Sequence, residues 1–334
     1  MHLTDLTFSE WDDTLPETGF GPFHTSDSLR VIDEHTAGDL YLFGGYRGEQ
    51  PVGLMPLFLR DQPFVTGALS PPPGFGIHRM GPILMPTSPK RRKQEKINRT
   101  FIEGILSVLD IDRSLLLFRL SCDTTYADPR PFRWAGFDVD FRFTYRLDLE
   151  STTPDTVLKS FSKSLRREIQ DGEDLDHSIT IQGVDGLRKV YDATRERYEE
   201  QGIGFPMSWE FMRDLIGSLD DRARVYVAET PDGEFLSGII ALYSNDTCYF
   251  WKGGTTASYE NVSVNSLLHW RVIEDILTDP ELDDITQYDM YSANNERITK
   301  YKSKYGGDLV PYYIVESASP TMSLAKKAYA KLTY

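Results

Sequence analysis

The chain is 334 residues long, enough for two domains of ordinary size. Hydrophobic residues at 40% and aromatics at 12% exclude a disordered chain, and no run approaches the 18 consecutive apolar residues of a membrane-spanning helix. A formal net charge of −15, with the acids spread along the chain, argues against duplex DNA as a partner.

From the N-terminus, MHLTDLTFSEWDD has acids where a secretory leader needs basic residues, which points to a cytoplasmic chain at most peripheral to a membrane. Residues 40–61, LYLFGGYRGEQPVGLMPLFLRD, predict a strand, a turn at Gly48 and a second strand through Gly53 to Asp61. Residues 63–89 hold a PPPGFG run with Pro82, Pro86 and Pro89, so only short strands fit there. A helix from about Lys90 to Leu109, a buried strand over 115–122 and an alternating strand over 141–149 follow. The next helix opens at Pro154, capped by Thr153 or Ser151, and runs to about residue 170. Beyond it the pattern predicts strand 178–184, helices 185–200 and 208–219, and strands 224–230, 236–244 and 247–253. Helix 261–277, strand 285–291, helix 295–305 and strand 309–316 complete the series.

Residues 225–246, VYVAETPDGEFLSGIIALYSND, repeat the first hairpin. Gly233, Gly238 and Asp246 stand 185 positions after Gly48, Gly53 and Asp61. The element order is α+β, mixed α and β with a central meander flanked by helices, and too irregular for a doubly wound parallel sheet. The domain boundary is expected near residue 146, giving domains 1–146 and 147–316. The tail 317–334 reads as a short basic amphipathic helix, packed on a domain or in contact with a membrane.

Several chemistries are excluded by what is missing. There is no GxxxxGK[ST] loop, no HExxH, no GxSxG and no GxGxxG after a strand. Cys122 and Cys248 each lie in an apolar or aromatic run, and six scattered histidines form no pair at ligand spacing, so neither a disulfide nor a metal is expected. Arg outnumbers Lys, and a dispersed acidic surface poor in lysine fits a protein from salt-loving cells or an ordinary acidic cytosolic one. Against that background the cations gather in three places: Arg79, Lys90, Arg91, Arg92, Lys93, Lys96 and Arg99; Lys159, Lys163, Arg166 and Arg167; and Arg297, Lys300, Lys302 and Lys304. In a single helix, Lys159, Lys163 and Arg166 would share one face. Such clusters suit the phosphate groups of a small-molecule or glycan substrate.

The order DTCYFWKGG (246–254), NSLLHWRVIEDI (265–276), YDMYSANN (288–295) and RITKYKSKYGG (297–307) resembles the acyltransferase half of the FemAB-like GNAT proteins. The helix SFSKSLRREI resembles the family's entry to that half. The resemblance covers 141–316 well and the N-terminal half more loosely. It implies two tandem GNAT-like domains, each a mostly antiparallel mixed sheet flanked by helices, the first degenerate. The tail would fold back on the first domain. The implied activity is transfer of an acyl or aminoacyl group to an amine of a cell-wall or polysaccharide precursor.

Roles follow from the same resemblance. Lys302 matches the family's motif lysine and would contact donor phosphate or developing negative charge, with Tyr301 stacking beside it. Asp289 would orient the incoming amine or accept its proton. Lys163, Arg166 and Arg167 would hold acceptor phosphates, Tyr249, Trp251 and Lys252 would line the cleft, and Arg197 would join the substrate-binding set. Asn265 and His269, one helical turn apart, are a polar pair at the cleft or satisfied groups in the core; His269 is also a candidate base. The pyrophosphate loop [QR]-x-x-G-x-[GA] of acetyl-CoA enzymes is missing, since the helix after 253 opens with TTASYENVSVN. The family's aminoacyl-tRNA-using members also lack that loop, so its absence favours a donor other than acyl-CoA, with acyl-CoA and aminoacyl-tRNA both left open and no resident cofactor implied.

Overall fold

The computed structural model describes residues 1–62, 65–109, 116–253 and 257–318. By its internal contacts the chain forms two compact units, Met1–Arg142 with residues 311–318, and Phe143–Val310. Beyond Ala318 the expected tail helix lies outside the described residues.

In the first unit the strands lie in the order His2–Asp5, Asp39–Arg47, Gln50–Gln62, Val65–Ser70, Leu116–Ser121 and residues 311–316 of Asp308–Glu316. Neighbours are antiparallel except Val65–Ser70 and Leu116–Ser121, which run parallel over five pairs from Thr66↔Leu116 to Ser70↔Leu120. Two parallel strands need a crossover. Helix Arg91–Val108 supplies it, and buries Phe101, Ile102 and Ile105 against Met55, Leu57 and Phe118.

In the second unit the order is Ser178–Gln182, Ala223–Glu229, Phe235–Tyr243, Thr247–Gly253, Gln287–Asp289 and residues 143–148 of Asp138–Asp148. Again one pair is parallel, Thr247–Gly253 with Gln287–Asp289, and helix Val264–Thr278 makes the crossover. Each unit is thus four antiparallel strands, a helical crossover, a fifth strand parallel to the fourth, and a sixth drawn from elsewhere in the chain. This is the tandem arrangement of mixed sheets that the sequence implies.

Both copies of the repeat are antiparallel hairpins, with Gly48 (φ 66°) and Gly233 (φ 82°) in the left-handed region at their turns. The second glycine of each copy lies where a helix closes on the sheet. A Cβ at Gly53 would meet the Phe101 ring at 3.0 Å, and one at Gly238 would meet Val190 at 2.4 Å. Phe101 belongs to the crossover helix, whereas Val190 lies on Val184–Glu200 before the hairpin, so the equal spacing does not reflect equal packing partners.

One expected element is broken. The helix over 154–170 is two helices, Pro154–Ser160 and Lys163–Glu173. Ser162 leaves the helical path to cap the second, accepting the N–H of Leu165, while its own N–H goes to the carbonyl of Lys304. Lys159 therefore does not share one continuous helix face with Lys163 and Arg166.

Candidate active site

The parallel pair of the second unit is short. Its register is Thr247↔Gln287, Cys248↔Tyr288 and Tyr249↔Asp289, after which the first strand runs on through Gly253 and the other chain turns away. The turn is made at Tyr291, whose φ of 71° a bulky side chain rarely adopts. In the first unit the matching pair stays joined over five residues. The second unit alone has this early parting, at Tyr249 and Asp289.

What stands beyond the parting is decided by a bulge. Phe250 faces Ala241 on the adjacent strand, but Lys252 faces Ile240, so Trp251 is the extra residue. Cys248 and Phe250 lie on the sheet face that packs with Ala241, Tyr243 and Tyr288 under the crossover helix. Simple alternation would send Lys252 to that face too. The inserted residue moves it to the opposite face, with Tyr249 and Asp289.

On this opposite face lies helix Val184–Glu200. Val190 packs on Gly238, and two turns later Arg197 reaches the strand end, its Nη1 donating to the carbonyl of Gly253 at 3.5 Å. Burial lowers the pKa of Arg197, and the nearby charge of Arg297 lowers it further. Burial, and then the charge of Arg197, bring Lys252 down to about 8. Among the described residues no hydrogen-bond partner holds the Lys252 ammonium.

Asp289, opposite Tyr249 in the last parallel pair, is fully buried. Its Oδ1 accepts from Thr144 Oγ1 and from the Tyr291 N–H, each at 2.6 Å, and Oδ2 lies 3.5 Å from Arg146 Nη2. Lys302 holds the far side of the same turn. Its buried Nζ donates to the carbonyls of Met290 and, at 2.8 Å, Ser292. Carboxylate and ammonium together keep the chain in the unfavourable Tyr291 conformation.

The crossover-helix face holds a different set. His269 Nδ1 is 2.6 Å from the Tyr288 hydroxyl, and its ring packs 4.6 Å from Phe250. Burial, then the charge of Lys302, push its pKa to about 3, so the imidazole is neutral at physiological pH. Asn265, half-buried, accepts from Ser237 at 3.0 Å, so the two residues have separate partners. Tyr301 hydrogen-bonds Tyr305 at 2.7 Å, and burial pushes its phenol up to about 12. Ser266 donates to Glu168 at 2.9 Å. Glu168 stands on Lys163–Glu173, whose Leu165 and Ile169 also join this core. On that helix Lys163 and Arg167 are exposed, and Arg166 donates to the carbonyl of Lys159 at 2.7 Å.

The structure therefore gathers Tyr249, Lys252, Asp289 and Arg197 on one face. It buries His269 under the other face, with Tyr301 and Asn265 half-buried on the same side and Lys163, Arg166 and Arg167 on a helix packed there. Trp251 is the buried bulge residue between them. Sequence reasoning missed Thr144, Arg146 and Tyr291, since their part depends on pairing between strands far apart in the chain.

Residues 159–303 match the family described as "Acetyltransferase (GNAT) domain". This GNAT match lies within the second unit, and the chain as a whole has the FemAB-like fold. Its second unit is an acyltransferase domain. Among solved structures, FemX is similar over 94% of this chain and 97% of its own, with a TM-score of 0.69 at 11% identity. The C-terminal domain of a putative lysylphosphatidylglycerol synthetase from Agrobacterium fabrum covers 97% and 96%, with a TM-score of 0.59 at 11% identity. L-PGS from Bacillus licheniformis covers 95% and 99%, at 0.54 and 12%. No curated protein sequence matches. Among the described residues no helix is long and apolar enough to cross a membrane.

Proposed function

We propose that this protein transfers an acyl or aminoacyl group from an ester or thioester donor to an amine. The acceptor is a nucleotide-linked or lipid-linked glycan, or a cell-envelope polysaccharide precursor. The observation that carries this reading is the parting of the parallel strands at Tyr249 and Asp289, with Lys252 and Arg197 directly beyond it. An opening between strands receives a donor in extended form, and the desolvated Arg197 guanidinium beside it favours a substrate that carries phosphate. The likeness to FemX, and to a domain named for lysylphosphatidylglycerol, supports an aminoacyl group as cargo. Asp289 and Lys302 act here as positioning residues, because both are occupied in holding the 289–292 turn.

The test is incubation of the purified chain with acetyl-CoA and, separately, an aminoacyl-tRNA, each with nucleotide-linked and lipid-linked amino sugars, followed by mass spectrometry of the acceptor. A mass increase equal to the acyl or aminoacyl group is expected with one donor. Saturable binding of substrates without any product would instead favour a non-catalytic module that recognises a phosphorylated glycan or RNA.

A further inference from the structure

An amine acceptor must lose a proton as its nitrogen attacks, and the group that takes it has to stand where the strands part. His269 is turned to Tyr288 on the far face, and Asp289 accepts hydrogen bonds from Thr144, Tyr291 and Arg146. Lys252 differs from both. The Trp251 bulge places it on the Tyr249 and Asp289 face, three residues past the last parallel pair. Its amine is held by no described residue.

We propose that Lys252 is the general base of acyl transfer, and that Arg197 is the positioning residue that keeps it ready to accept a proton. The proposal rests on the acyltransferase reading above. In the step itself the neutral acceptor amine attacks the carbonyl carbon of the donor, a C–N bond forms, and the carbonyl electron pair moves to oxygen. The nitrogen passes a proton to Lys252 Nζ. When the oxyanion re-forms the carbonyl, the C–S or C–O bond to the leaving group breaks, and that group takes the proton from Lys252.

The electrostatics agree with this assignment. A lysine titrating near 8 is largely protonated at neutral pH yet readily supplies its free amine, whereas an ordinary lysine does not. The charge that acts on it is that of Arg197 from the covering helix, with Arg297 behind Arg197; the Asp289 and Arg146 pair lies on the neighbouring strands of the same face.

Two measurements on the full chain decide the matter. In the first, amine-reactive labelling across pH, read by peptide mass spectrometry, follows Lys252 directly. A midpoint near 8 that moves upward in Arg197→Gln is expected; a midpoint at the ordinary lysine value overturns the proposal whatever the activity. In the second, transfer rates are compared for wild type, Lys252→Met and Lys252→Cys. Both variants should lose about 10²–10³-fold in kcat with little change in KM. Alkylation of the Lys252→Cys protein with 2-bromoethylamine, to which the native Cys122 and Cys248 are closed by burial, should restore transfer with the pH limb moved to lower pH, because the sulfur weakens the amine as a base. Unchanged kcat and pH profile in Lys252→Met, with wild type active, would remove Lys252 as base and leave the acyltransferase reading standing. No transfer by wild type with either donor would fail that reading, and the base assignment with it.

Discussion

The Lys302 ammonium is buried, and two of its donors end on the carbonyls of Met290 and Ser292. Lys302→Ala leaves both oxygens without that charge-assisted partner, so it should lower unfolding stability by about 2–4 kcal/mol in urea titration and reduce transfer at the same time. If stability is unchanged while transfer is lost, the ammonium acts on the substrate instead, which is the role the motif alone suggests. His269 gives a pH prediction. Its folded pKa of about 3 lies below the unfolded value near 6.5, so the unfolded state binds the extra proton as pH falls below 6.5. Stability is lost through that window, by roughly 5 kcal/mol at its lower end. His269→Phe should cost about 1–3 kcal/mol at pH 7, because the Tyr288 hydroxyl loses its partner. The gap to wild type should close as pH is lowered from 7 toward 4.5, and a constant gap would show that the imidazole is not held neutral. At this scale the motifs located Tyr249, Lys252, Asp289 and Lys302 in sequence. They could not show that a bulge turns Lys252 to the Asp289 face, because the bulge exists only in register with Phe235–Tyr243.

Among the elements, the hairpin that ends in the site depends on a close approach at Gly238. A Cβ there would lie 2.4 Å from Val190 and 2.8 Å from the backbone carbonyl of Tyr226. Gly238→Ala should therefore cost about 1–3 kcal/mol or more, and Val190→Ala in the same chain should recover only part, because the Tyr226 oxygen cannot move aside. Gly48→Ala has open space and bears only the cost of its left-handed φ, about 1 kcal/mol. Equal losses at the two glycines in urea unfolding would contradict the close-packing account. The hairpins were legible because alternation and turn glycines are local signals, and so was the crossover helix, formed over Val264–Thr278 against an expected 261–277. The break between Ser160 and Lys163 was not, since the Ser162 N–H is satisfied by Lys304, well over a hundred residues away. Nor did periodicity mark the N-terminal helices Phe8–Thr14 and Ser26–His35, which are short and set by caps at Thr7 and Thr25.

For the whole molecule, one strand order written twice provides two places where a parallel pair could open, and pairing length decides between them. Five pairs close the first and three leave the second open, so substitutions beside Ser70 should affect stability while those beside Tyr249 affect transfer. The sixth strand of each sheet was beyond sequence reading. Ile314 pairs with Ser121 and Leu147 with Tyr288, contacts that no local pattern announces. Net charge acts over the entire chain. At −15 the folded state carries self-repulsion, and raising salt from 0.1 to 1 M shortens the screening length from about 10 Å to about 3 Å. Exposed ion pairs such as Arg99–Glu103 and Arg133–Asp138 weaken over the same range, but each contributes only about 0–1 kcal/mol. Relief of the excess negative charge should outweigh their loss, so the melting temperature should climb steadily between 0.1 and 1 M potassium chloride. The same salt should weaken any phosphate held by Arg197, raising KM while the protein becomes more stable. A melting temperature that stays flat or falls would mean that local pairing already balances the acidic surface, and that the composition carries no adaptation to salt.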